Sequence, residues 1–304
     1  MGVYSELYID FIENYPQLIE GTEKFDFMFD MFIALKTTDG VKPNPLIAEF
    51  FKDVFCELHG GDILWAMASA GGYSYNFSFS TLDEALKGFT ALLNYDVNLY
   101  YSPAIFKGWR KDKNVSRINV IYIDIDDVEG VDFSEMDEKG IKDYLYCTYH
   151  LTSAMFPNWL VSSGHGLHLY YIVNTLDLKN EADSKLRALY TDYLITHFRA
   201  DIACRNKSRV LRFPLSRNVK NMEAIKTTRL FHLNPSTDID IKRLDCFRHP
   251  QSEIDAYIKA CNLIRAEKRK QTMIKNGTWK TKAIKTKVAD KRSTPIPIQT
   301  TAKT

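Results

Sequence analysis

The run Ile118-Asn-Val-Ile-Tyr-Ile-Asp124-Ile-Asp126 constrains this chain more than any other segment. Its β-branched and aromatic residues favour an extended strand, and its apolar weight requires a place inside a sheet. Side chains alternate faces along a strand, so Asp124 and Asp126 emerge on one side while Ile121, Ile123 and Ile125 enter the core. Two carboxylates separated by one residue stand roughly 7 Å apart at Cα. Unpaired carboxylates near a core are costly, and hard divalent cations are a common compensation. A strand end whose polar residues spill into a loop explains the same pattern without chemistry. Asp127 falls on the opposite face and reads as a turn residue or cap.

A second segment, Ser162-Ser163-Gly164-His165-Gly166-Leu167-His168, reads as a tight hairpin between strands at Asn158–Ser162 and Leu167–Val173. Its glycines allow a sharp backbone turn that exposes N–H groups, a geometry suited to anions. Ser163 adds a hydroxyl, and His168 opens the returning strand. The plain alternative is an ordinary glycine-containing hairpin with a structural histidine. A third segment carries Asp201, then Ser208-Arg209-Val-Leu-Arg212-Phe-Pro214 and Asn218-Val-Lys220. A carboxylate followed by several cations could complete a metal site and grip phosphate, because guanidinium forks match phosphate oxygens. Each residue alone reads equally as a solvated surface charge.

Taken in order, these three segments resemble the archaeo-eukaryotic primase superfamily, particularly the primase-polymerases of plasmids, phages and other mobile elements. The resemblance covers about residues 45–232. It implies an α+β fold, an RRM-like antiparallel sheet with flanking helices, carrying the acids on its open face. It further implies template-directed nucleotidyl transfer, with Asp124, Asp126 and Asp201 as catalytic ligands of two Mg²⁺ or Mn²⁺ ions. Ser163, Gly164, Gly166 and His168 would hold the incoming nucleoside triphosphate, with Arg212 and Lys220 taking its remaining charge; Arg209 is read as structural. The expected partners are single-stranded DNA template and NTPs or dNTPs. No G-x-x-x-x-G-K-[ST] run is present, so unwinding would fall to a separate helicase. His165 occupies a variable place in the pattern. Two rival readings are a replication-initiator or relaxase nuclease with paired histidines, and a nucleic-acid-binding accessory protein that has lost catalysis.

Charge divides the chain unevenly. The net charge is +2, yet Arg265–Thr304 holds twelve Lys or Arg against two Asp or Glu, leaving an acidic body. A cationic segment of this kind binds phosphate backbones without sequence preference, and Lys268, Arg269 and Lys270 are its densest cluster. The expected organisation is a helical extension over 1–44, a catalytic domain over 45–250, a helix over 251–275 and a basic disordered tail over 276–304. Five scattered cysteines indicate a reducing interior. The acidic N-terminus lacks signal-peptide character and no apolar run reaches membrane-spanning length, so a cytoplasmic, membrane-free protein is expected. Cys56, Cys147 and Cys246 each precede a histidine by three residues. Structural zinc is one reading of these pairs, but two fall in predicted helices, where such spacing commonly reflects a shared face.

Overall fold

A computed structural model describes residues 3–55, 57–126, 131–164, 166–219, 223, 225–236 and 239–276. Two compact units divide the chain, Met1–Ile258 and Lys259–Thr304. The first holds helices α1 (Val3–Asn14), α2 (Glu23–Lys36), α3 (Pro45–Val54), α4 (Leu82–Leu92), α5 (Glu138–Tyr149) and α6 (Glu181–Phe198). Local chemistry sets several of their starts. Asn44 accepts from the amides of Leu46 and Ile47 just ahead of Pro45, and Thr81 accepts from Glu84 N–H while Glu84 returns a bond to Ser80 N–H. Helix α7 spans Gln251–Lys275.

Antiparallel pairing governs all the strands. One sheet has the order β11-β6-β7-β5-β4, built from Arg229–His232, Trp159–Ser162, Leu167–Asp177, Val115–Ile125 and Ile105–Phe106. A second has the order β2-β1-β3-β8, built from Tyr73–Phe79, Leu64–Ala70, Asn98–Tyr101 and Leu211–Arg212. β9 (Arg217–Asn218) and β10 (Lys226–Thr227) form a short ribbon, and an Ile63–Phe106 bridge ties the approach to β1 to β4. The expected α+β architecture, an antiparallel sheet flanked by helices, is therefore present.

β5 is buried along nearly its whole length, which matches the apolar weight of its second half, Val120–Ile125, around Asp124. α6 packs on β5 and β7. α3 covers another part of the core: the fully buried ring of Phe50 lies 5.2 Å from Tyr170, 5.5 Å from Trp159 and 6.1 Å from Tyr101, joining the two sheets. Truncating such a ring to alanine typically costs about 3–5 kcal/mol. Beside it, Phe89 and Phe213 stack at 4.0 Å. By register, Tyr170 shares its face with Tyr122, Asp124 and His168. That face is thus covered at its middle by α3 rather than open.

Residues 3–44, from the expected extension, make aromatic contacts within this same unit. Phe11 meets Phe25, Phe29 and Phe32 at 5.1–5.3 Å, and Tyr15 O–H donates to Tyr75 Oη on β2 at 3.0 Å. No helix among the described residues is long and apolar enough to cross a membrane. The expected disordered tail lies outside the described residues beyond Asn276.

Candidate active site

The β5–β7 register sets Asp124 directly opposite His168 on the adjacent strand. Slipping that register by one residue would send one of them to the other face. The imidazole Nε2 lies 3.5 Å from Asp124 Oδ1, while the buried Nδ1 has no hydrogen-bond partner among the described residues. Burial lowers the His168 pKa to about 4, against the opposing pull of Asp124, so the ring is neutral at pH 7. A neutral ring offers one donor and one acceptor rather than a charge.

Asp201 arrives from the turn after α6. Its backbone N–H donates to Asp124 O at 2.8 Å, and its carboxylate caps the following 3₁₀ turn by accepting from Ala203 N–H at 3.0 Å. Arg209 then clasps both acids: one Nη2 lies 2.5 Å from Asp124 Oδ2 and 2.9 Å from Asp201 Oδ2. The two carboxylate oxygens are therefore no further apart than the sum of those distances. Burial opposes the guanidinium charge, but Cys204, Asp124 and Asp201 together raise the Arg209 pKa above its ordinary value. Arg209, read from sequence as structural, is the residue that joins the two acids.

The hairpin is closed from within. Ser163 N–H and Oγ–H both donate to Gly166 O, and Gly166 N–H donates back to Ser163 Oγ. The Ser163 hydroxyl, expected to serve a triphosphate, is thus engaged in the turn itself. Gly164 adopts φ +92°, a region that favours glycine, and a Cβ on Gly166 would overlap the Ile125 carbonyl oxygen. Asn218 secures the turn from outside, its Nδ2–H donating to Ser163 O at 3.0 Å.

Arg212 comes from β8 in the second sheet. It donates to Asn98 Oδ1 at 2.8 Å and Tyr100 Oη at 3.2 Å, and its guanidinium stacks over the Tyr100 ring. One cleft is lined by Asp124, Asp126, Ser163, His168, Arg209, Arg212 and Asn218, with Tyr100 at its margin. Asp126 is exposed at its mouth. Asp201 is not part of the lining; Arg209 and the Asp124 backbone carbonyl link it to the cleft. Sequence reasoning gave no role to Asn98, Tyr100 or Asn218. Only the Asn218-Val-Lys220 spacing hinted at the last of these.

Among the described residues, no three His, Cys, Asp or Glu side chains form a ready-made metal cluster. Lys220, His165, Asp127 and Cys56 lie outside the described residues. Cys147 and Cys246 are exposed, and Cys246 Sγ–H donates to Arg243 O at 3.3 Å. Lys268, Arg269 and Lys270 belong to the second unit, on the exposed final turns of α7.

No protein-family model matches the chain. Over 131 residues, 43% of its length, it is 27% identical to a replication protein of Clostridium perfringens, and the match spans 31% of that protein. The AEP domain of the cyanophage S-2L primase-polymerase is 14% identical, covering 66% of this chain and 96% of that one at a TM-score of 0.47. Primase RepB' is 14% identical, covering 77% and 68% at 0.39. The catalytic domain of primase RepB' in complex with initiator DNA is 15% identical, covering 74% and 98% at 0.39. Over those 131 residues the chain is similar in sequence to a replication protein.

Proposed function

We propose that this chain is a primase-polymerase of the archaeo-eukaryotic primase type, which joins nucleotides on a single-stranded DNA template during replication of a plasmid, phage or other mobile element. The observation that carries the reading is convergence: Asp124 and Asp126, His168, and Arg212 come from three separated segments and line one cleft. An ordinary strand end, an ordinary hairpin and a surface arginine would have no reason to meet.

The donor set suits a hard divalent ion. Asp124 and Asp126 offer only oxygens to the cleft, and the charge of Asp124 is matched by a guanidinium that a cation could replace. Asp124 and Asp126 would hold Mg²⁺ or Mn²⁺, with Asp201 joining them if Arg209 swings away. Bound there, the metals would stabilise the attacking 3′-oxygen and the departing pyrophosphate.

The remaining work falls to the protein. Arg212, buried and braced by Asn98 and Tyr100, supplies fixed positive charge for a triphosphate. His168 orients it by hydrogen bonding without adding charge. Gly164 and Gly166 bring the turn backbone close to the phosphates, and Ser163 keeps that turn rigid. Lys220 follows Val219 and would add a second cation. In the transfer itself, the primer 3′-oxygen bonds to the α-phosphorus, the bond to the β-phosphate oxygen breaks, and the hydroxyl proton passes to solvent. Lys268, Arg269 and Lys270 would hold template backbone non-specifically, and a separate helicase would open the duplex.

The test incubates the protein with single-stranded template, Mg²⁺ or Mn²⁺, and labelled NTPs or dNTPs. Products should form with the wild type and vanish in Asp124→Ala/Asp126→Ala. Equal products from both proteins would refute the site. Cutting of the template without nucleotides would instead favour a nuclease.

A further inference from the structure

Away from this cleft, Trp109 carries a ring that is 73% exposed. It stacks on Trp65 at 5.5 Å with the planes 24° apart. Trp65 is itself buried at the base of β1, and its indole N–H donates to Gly108 O at 2.9 Å, anchoring the residue before Trp109. One face of the exposed ring therefore rests on a buried neighbour, and the ring is held in place rather than left to wander. Trp65, Asn76, Trp109, Arg110 and Lys111 line a groove of about 390 Å³ that contains two indoles, an amide and two cations, and no acid.

The surrounding loop is basic. Residues 107–114 include Lys107, Arg110, Lys111 and Lys113 against Asp112 alone, and Asp112 is already engaged by Ser208 N–H and Oγ–H. Arg110 also donates to Ser208 O at 3.1 Å. Ser208 adjoins Arg209, the residue that clasps Asp124 and Asp201. The groove is thus fastened, through one residue, to the rim of the candidate active site.

We infer that this groove anchors single-stranded DNA, one base stacking on Trp109 while Lys111 meets its phosphate. The inference rests on the proposed function and extends it by naming where the template strand is held outside the reacting centre. An indole face accepts any base, because every base has a π-face, and neighbouring cations supply affinity without sequence preference. A paired duplex cannot offer a free base face, so a single strand is the occupant this chemistry selects.

The experiment titrates the full chain into a fluorescein-labelled oligothymidylate about twelve nucleotides long, in EDTA, by fluorescence anisotropy. Trp109→Ala should weaken binding by about tenfold, whereas Trp109→Phe, which keeps an aromatic face, should stay within about twofold of wild type. Lys111→Gln should reduce the slope of log K against log salt by about one. Trp109 is exposed, so its replacement leaves the core intact. Equal affinity for wild type and Trp109→Ala, an equal loss on duplex DNA, or no binding by wild type would each overturn the anchor. Primer extension separates this from the active-site reading: extension that depends on Asp124 but not on Trp109 at limiting template leaves the cleft standing and removes the groove.

Discussion

Replacing Arg209 with methionine keeps much of the side chain's volume and removes the charge between Asp124 and Asp201. Those carboxylates retain only 11% and 16% of their exposure. Removing one partner of a buried ion pair usually costs about 3–5 kcal/mol, and residual access to water puts this site near the lower figure. A unit of this size shifts its unfolding midpoint by roughly 2–4 °C per kcal/mol, so Arg209→Met should unfold roughly 6–12 °C below wild type in EDTA. Divalent ions should then act unequally. With the guanidinium gone, the acids are free to take a cation, and Mn²⁺ at one hundred times its Kd would restore about 2.7 kcal/mol. Differential scanning fluorimetry with and without Mn²⁺ measures both effects. An unchanged midpoint in EDTA, or the same Mn²⁺ shift in both proteins, would refute the idea that Arg209 stands where a cation can stand.

Gly166→Ala should destabilise the protein by about 1–3 kcal/mol in urea unfolding, because the new methyl overlaps the Ile125 carbonyl; an unaltered midpoint would contradict that packing. His197 contributes a pH dependence: burial lowers its pKa, so the folded state prefers the neutral ring, and stability is lost as pH falls from about 6.5 through the folded value. His197→Phe, which fills the space beside Phe198 and Phe247, should show a shallower acid limb, and parallel curves would exclude this residue. Deleting residues 265–304 should flatten the salt dependence of DNA binding while nucleotide binding persists; an unchanged slope would remove the tail from the interface.

Much of this architecture was legible in residue types. β5 announces itself by composition, β6 and β7 by the glycine turn between them, and α3 and α4 by Asn44-Pro45 and the Thr81 cap. The alternation that put Asp124 and Asp126 on one face was equally local. What could not be read depends on partners distant in sequence. The pairing of Asp124 with His168 follows from a register fixed along β5 and β7. The double ion pair of Arg209 needs the turn after α6 to dock on the end of β5. Phe50 lies in an amphipathic helix whose sequence does not say which sheet face it will cover, so the face carrying Asp124 was expected open. Ser163 looks like a donor in isolation, and only the closed turn reveals that its hydroxyl is occupied. Trp109 sits in a loop without periodicity, where no pattern distinguishes a buried indole from an exposed one.

The amide of Asp201 bonded to the carbonyl of Asp124 has a consequence for divergence. Main chain, rather than side chain, sets the gauge between the two acids. The loops around α5 and the segment leading into α6 can therefore gain or lose residues without disturbing that gauge. A longer acid at either position is a different matter, because an extra methylene enters a frame that cannot widen. Relatives of this chain should vary in length within those loops while tolerating glutamate at neither aspartate.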